Sequence, residues 1–127
     1  MQYVLVLGFV TNEEIYTLYK NSVALVMPTF LGPTNMPLLE AQALGTPVIC
    51  SDFSGHLETC GDGALYADPA DAQQWVTAMN RMLDDAERFQ LITRANAVIR
   101  ASRFNIKSAI LHLEAILLKF IPIRKTF

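Results

Sequence analysis

The 127 residues suffice for one domain and not for two. A hydrophobic fraction of 52%, in runs that alternate between strand and helix periods, points to an α/β domain with a parallel sheet, and no run reaches the roughly 20 apolar residues needed to span a bilayer. The net charge of −2 hides an asymmetry: residues 1–87 carry eleven carboxylates against Lys20 and Arg81, whereas residues 88–127 carry eight cations against Glu114 alone.

Met1-Gln2 provides no basic leader and the first apolar run ends by Val10, so a secretory signal is not expected. Tyr3 to Leu7 is a continuous apolar run closed by Gly8, the pattern of a strand covered on both faces. Thr11-Asn12-Glu13-Glu14 predicts a capping box, with Thr11 as N-cap and Glu14 three positions on. The helix it opens sets Ile15, Leu18 and Tyr19 on one face and ends near Asn21. Val23 to Met27 reads as the second strand, halted by Pro28. A Gly/Pro/Thr/Asn loop then enters a short apolar helix, Met36 to Leu44, whose one carboxylate is Glu40. Asn35 is the expected N-cap, and Pro37 falls in the first turn, where its missing N–H costs nothing. Gly45 stops this helix and Pro47 leads into the strand Val48 to Ser51.

Beyond Ser51, the turn formers Asp52, Ser54 and Gly55 precede a short helical turn around Leu57 to Cys60 and a short strand, Ala64 to Tyr66. Asp68 or Asp71 caps a helix expected to bury Trp75, Val76, Met79, Met82 and Leu83. A second long helix covers Ala86 to about Arg103, with Phe89, Leu91, Ile92, Ala95, Val98 and Ile99 apolar. Asn105 is placed to cap a last helix, Ile106 to Phe120, ended by Pro122. Cys50 reads as a small buried hydrophobe and Cys60 lies near a turn, so two reduced thiols are expected rather than a disulfide. His56 and His112 have no partners at ligand spacing, which argues against a metal site; His112 reads as a helix residue at a packing boundary.

The stretch Pro28 to Ser51 resembles the donor-binding motif of GT-B glycosyltransferases of glycosyltransferase family 4, the group 1 type. Pro28-Thr29, Glu40-Ala41 and Gly45-Thr46-Pro47-Val48-Ile49 match its pattern of proline–serine/threonine, loop, Glu-Ala and Gly-x-Pro-Val-Ile. The likeness runs from about Val4 to Phe104, taking in Gly8 to Glu14, Leu18-Tyr19 and Ala24 to Val26 upstream, and Glu58 and Gly61 to Ala64 downstream. It implies a partial Rossmann-like parallel sheet flanked by helices, a fragment of the GT-B C-terminal domain. Residues 1–127 then form one partial nucleotide-sugar-binding domain, with C-terminal helices at about 86–120. The donor substrate is a nucleotide-diphosphate sugar, no cofactor is expected, and the acceptor is a glycan or lipid-linked glycan, with transfer in polysaccharide biosynthesis and retention at the sugar.

A transferase without a metal cage must hold the diphosphate with backbone amides, helix dipoles and basic side chains. Gly32, Thr34, Asn35 and Met36 are the expected donor diphosphate and sugar segment, at a helix mouth suited to anions. By the resemblance Glu40 holds the ribose, since a carboxylate accepts two hydrogen bonds from a diol; the alternative is that Glu40 only caps or pairs locally. Gly32 stands where the family's first Glu contacts the donor sugar, so that contact is absent or made by backbone or Thr34, and Pro33 and Asn35 also fit a plain turn. Glu58 is expected to anchor its loop, and Trp75, Met79 and Met82 to be core. No catalytic residue is assigned.

The family's intact enzyme adds an N-terminal acceptor domain and a strand–helix–strand that brings an Arg and a Lys to the diphosphate. Upstream of Gly32 the sole cation is Lys20, at a helix end, so turnover by this chain alone is not expected. In the strand order 3-2-1-4-5-6 the four strands here correspond to the third to sixth. Either the first shifts beside the second, or an apolar edge stays open and the chain associates, most simply as a two-fold dimer. The competing readings are a non-catalytic module that binds nucleotide sugar or protein partners, and a GT-B sugar-nucleotide epimerase, to which the Glu-Ala and Gly-x-Pro-Val-Ile context is less close. A cytoplasmic setting is expected and nucleic acid is not a partner. The last helix, with Ile110, Leu113, Ile116, Leu117 and Phe120 beside Lys119, Arg124 and Lys125, is expected to pack on the domain, with an anionic membrane surface as the alternative.

Overall fold

The computed structural model describes residues 3–32 and 35–120. Three strands, β1 (Leu25–Met27), β2 (Val48–Ser51) and β3 (Ala64–Ala67), form a parallel sheet in the order β1-β2-β3. Its register aligns Met27 with Cys50 and Cys50 with Tyr66. The described residues also form six helices: α1 (Asn12–Asn21), α2 (Met36–Ala43), α3 (Ser54–Cys60), α4 (Ala72–Asp84), α5 (Ala86–Arg103) and α6 (Ile106–Phe120). A 3-10 turn, Gly61–Gly63, joins α3 to β3. This is the α/β architecture expected, with each strand reached through a helix.

All four residues of β2 are buried, and the first three are apolar, because the strand is covered on both faces. Val48 and Cys50 meet Leu38, Ala41 and Cys60 on one side, joined by Tyr19, Leu25 and Met27. Ile49 meets Trp75, Ala78 and Met82 of α4 on the other. Strand side chains alternate between faces, so three successive residues serve two cores. The two thiols, both reduced, lie buried in the first cluster. A hydrogen bond with Cys60 and then burial push the Cys50 thiol up, and the same bond holds Cys60 down. In α4 the Asp71 side chain accepts from the N–H groups of Gln73 and Gln74, and the Trp75 indole N–H donates to the Asp68 carbonyl at 2.8 Å.

Three expectations need correction. Tyr3 to Leu7 forms no strand; all five residues are exposed, and among the described residues nothing pairs with the outer edge of β1. A parallel strand needs a ladder partner and a cover on each face, and the outer side of β1 offers neither. The same edge explains α4: Trp75, Met82 and Ala78 are buried, whereas Val76, Met79 and Leu83 are exposed. Met79 and Leu83 line an apolar groove of about 190 Å³ with Val23, Ala24 and Val26 beside that edge. In α5 the buried positions are the small Thr93 and Ala97, while Leu91, Ile92, Ala95, Val98 and Ile99 are exposed and Phe89 is half-buried. Close approach selects small residues there: a Cβ on Gly63 would stand 3.2 Å from the Ala97 Cα. Finally, α6 does not pack on the domain, His112 included; every residue from Ile106 to Phe120 except half-buried Ser108 is exposed. Asn105 does cap it, accepting from the Ser108 N–H at 3.0 Å. Pro122, Arg124 and Lys125 lie outside the described residues.

At α1 the capping box is complete. The Thr11 N–H donates to the Glu14 carboxylate at 2.7 Å, and the Glu14 N–H to the Thr11 hydroxyl at 3.3 Å. The Thr11 amide, and secondly its hydroxyl, hold the Glu14 carboxyl below the usual range. A lowered carboxyl stabilises above its unfolded pKa, and that contribution is lost as pH falls through the folded value. Helix chemical shifts over residues 12–21 should therefore weaken below about pH 4, and Glu14→Gln should remove that pH dependence; an unchanged profile in the variant refutes the assignment.

Candidate functional site

The ends of β1 and β2 are tied together. The Ser51 hydroxyl accepts from the Thr29 N–H at 3.0 Å and donates to the Thr29 carbonyl at 2.6 Å. His56, fully buried, holds the Ser51 carbonyl through Nδ1 at 2.9 Å and stacks on Phe53 at 4.0 Å between ring centroids. The Thr29 hydroxyl is buried and has no hydrogen-bond partner among the described residues. The Pro28-Thr29 pair thus marks the carboxyl edge of the parallel sheet, where open α/β sheets receive ligands.

The loop leads to α2 by an unexpected route. Asn35 occupies the N-cap position but with φ 40° and ψ 39°, a left-handed conformation, and its side chain caps nothing. Its amide instead donates to the Gly32 carbonyl at 2.8 Å. Asn is the residue that tolerates this conformation through such local bonds. A Cβ at Gly32 would stand 2.1 Å from the Asn35 Oδ1, so a larger residue there would displace the Asn35 side chain. Thr34 and Pro33 lie outside the described residues.

Four N–H groups stand at the mouth of an ordinary helix. Here Pro37 has none and the Leu38 N–H donates to the Asn35 carbonyl at 3.0 Å, while those of Asn35 and Met36 have no hydrogen-bond partner among the described residues. The helix then divides by face. Leu38, Ala41 and Gln42 are buried, whereas Met36 and Glu40, four residues apart and therefore stacked, are exposed. α2 ends as expected, with Gly45 at φ 74°.

Glu40 opens into a cleft of about 340 Å³ between α1 and α2, lined by Asn12, Ile15, Tyr16, Tyr19 and Leu44. It does not merely cap its own helix; its Oε2 accepts a hydrogen bond from the Tyr19 hydroxyl at 3.3 Å. Burial, then the Glu40 charge, pushes the Tyr19 phenol up to about 12. Tyr19 was legible in the sequence only as an apolar-face residue; its role as the partner of Glu40 needed the packing of α1 on α2. Lys20 is exposed with its Nζ 5.8 Å from the Tyr16 ring centroid. Glu58 is exposed and anchors nothing by hydrogen bond or ion pair among the described residues. Among those residues no cluster of three or more His, Cys, Asp or Glu is arranged for a metal, and no helix is long and apolar enough to cross a membrane.

With this geometry in view, comparisons identify relatives. A family model described as glycosyl transferases group 1 matches residues 2–101. The chain is 32% identical over 99 residues to the O-antigen chain mannosyltransferase B of Escherichia coli, covering 78% of this chain and 26% of that protein. It is 31% identical over 106 residues to a D-inositol 3-phosphate glycosyltransferase of Corynebacterium kroppenstedtii, covering 82% and 23%. Among solved structures, sucrose-phosphate synthase from Thermosynechococcus elongatus superposes with a TM-score of 0.78 at 25% identity, over 91% of this chain and 30% of that one. The chain spans about a quarter of the length of these curated relatives.

Gly32→Ala should leave the fold intact, at a cost of about 1 kcal/mol or less because the clashing group is a movable side chain, yet release the Asn35 amide from the Gly32 carbonyl. Asn35 side-chain amide resonances that stay unshifted in the variant would contradict this packing.

Proposed function

This chain belongs to the group 1 glycosyl transferases, with their GT-B Rossmann-like fold, and from that premise we propose that it is the donor-binding portion of a retaining transferase using a nucleotide-diphosphate sugar. The observation that carries the proposal is the outward face of α2. One helix presents an amide-bearing mouth and, one turn on, a carboxylate opening into a cleft. The diphosphate sits at the mouth, where the Asn35 and Met36 N–H groups and the helix dipole favour negative charge. The ribose diol donates two hydrogen bonds to Glu40. As the glycosidic bond breaks, negative charge grows on the diphosphate, and the same dipole offsets part of it. Two amides are a modest seat, so full neutralisation and acceptor alignment fall to cations and a second domain of the complete enzyme.

The acceptor is proposed to be a growing glycan or lipid-linked glycan, in keeping with a relative named for O-antigen chain synthesis. If the ribose role is right, Glu40→Ala weakens binding of UDP or GDP in calorimetric titration by at least about tenfold, since hydrogen bonds to a charged group are worth ~1.5–3 kcal/mol each. Unaltered affinity would sink it, leaving the non-catalytic module as the better description.

Two exposed surfaces support association. The open β1 edge and its apolar groove favour a two-fold dimer. The apolar stripe of α6, exposed beside Lys107 and Lys119, favours a resting place on the anionic inner face of the cytoplasmic membrane. Sedimentation should give a dimer at micromolar concentration that pellets with anionic vesicles and not with neutral ones. A monomer removes the first proposal, and equal partition removes the second.

A further inference from the structure

We propose that Tyr19 is the positioning residue of this site: from α1 it aims the Glu40 carboxylate at a nucleotide's ribose diol. The inference rests on the reading in which Glu40 receives that diol. An exposed Glu is a poor receptor by itself, because immobilising its side chain costs up to about 1.5–2 kcal/mol of rotamer entropy. Here the cost is met in advance by an element 21 residues earlier in the chain.

Tyr19 is well suited to the task. Its ring packs on the cluster formed by Leu38, Ala41 and Val48. Its own carbonyl is held twice, by the Thr46 hydroxyl at 2.8 Å and the Ser22 N–H at 3.3 Å. That fixes the ring between the end of α1 and the turn after α2. From this anchor the hydroxyl reaches Glu40 Oε2. It is a side chain–side chain hydrogen bond that joins α1 to α2.

The arithmetic of acceptors leaves room for a ligand. A carboxylate offers about four lone-pair sites; Tyr19 takes one, and a vicinal diol needs two. At 3.3 Å the bond is long for an O–H···O contact, so it orients the group without saturating it. Burial keeps the phenol protonated well into the alkaline range, so the donor does not switch off at working pH.

Calorimetric titration of wild type, Tyr19→Phe, Glu40→Ala and the double variant tests this, with UDP and 2′,3′-dideoxy-UDP as probes. Tyr19→Phe should weaken UDP roughly three- to tenfold, the scale of one hydrogen bond. It should leave the dideoxy probe unaffected and add nothing in the Glu40→Ala background. A variant that weakens both probes alike, or adds its loss to that of Glu40→Ala, has a merely structural Tyr19 and overturns the proposal, as does an unchanged UDP affinity. If Glu40→Ala itself binds UDP like wild type, the ribose reading fails instead. A wild-type chain that binds no UDP overturns both.

Discussion

The site depends on the burial of β2. That strand is hydrogen-bonded on both edges and covered on both faces, and every group of the cleft is measured from it. Its last residue, Ser51, clamps Thr29 with two hydrogen bonds and so fixes where the loop to α2 begins. Its first residue, Val48, follows the turn whose Thr46 hydroxyl grips α1. A strand of four residues therefore sets the relative position of the loop root, the helix carrying Glu40 and the helix carrying Tyr19.

α2 shows how little sequence is needed to position a carboxylate on such a base. Its inward residues, Leu38, Ala41 and Gln42, dock it against the sheet. Its outward face then carries Glu40, the one carboxylate of the helix, at the edge of a cleft. The helix mouth is economical too. Pro37 removes one donor and the Asn35 carbonyl occupies another, so the anion seat proposed there is a narrow one.

Much of this was legible beforehand, where local chemistry and pattern agree. The capping box at Thr11, the helix stop at Gly45 and the apolar run Val48 to Ser51 are each dictated by neighbouring residues, and each forms as read. What was not legible depends on partners far along the chain. The run Tyr3 to Leu7 has the composition of a buried strand but no neighbour to pair with. Leu83 and Met79 follow the core spacing of α4 yet face the vacant edge. Asn35 has the identity of an N-cap, but its side chain turns back to Gly32, a competition between two local hydrogen bonds that composition alone does not decide. The Tyr19–Glu40 contact joins residues 21 apart and follows from no periodicity.

The buried thiols carry a last consequence. Cys50 and Cys60 share the cluster in which Leu38 and Ala41 seat the helix of Glu40, and neither is accessible to solvent. A reagent in solution can alkylate them only while that layer is parted. The pace of their modification is thus an internal clock for the breathing of the receptor's foundation, and an occupied cleft that holds α1 against α2 would slow it.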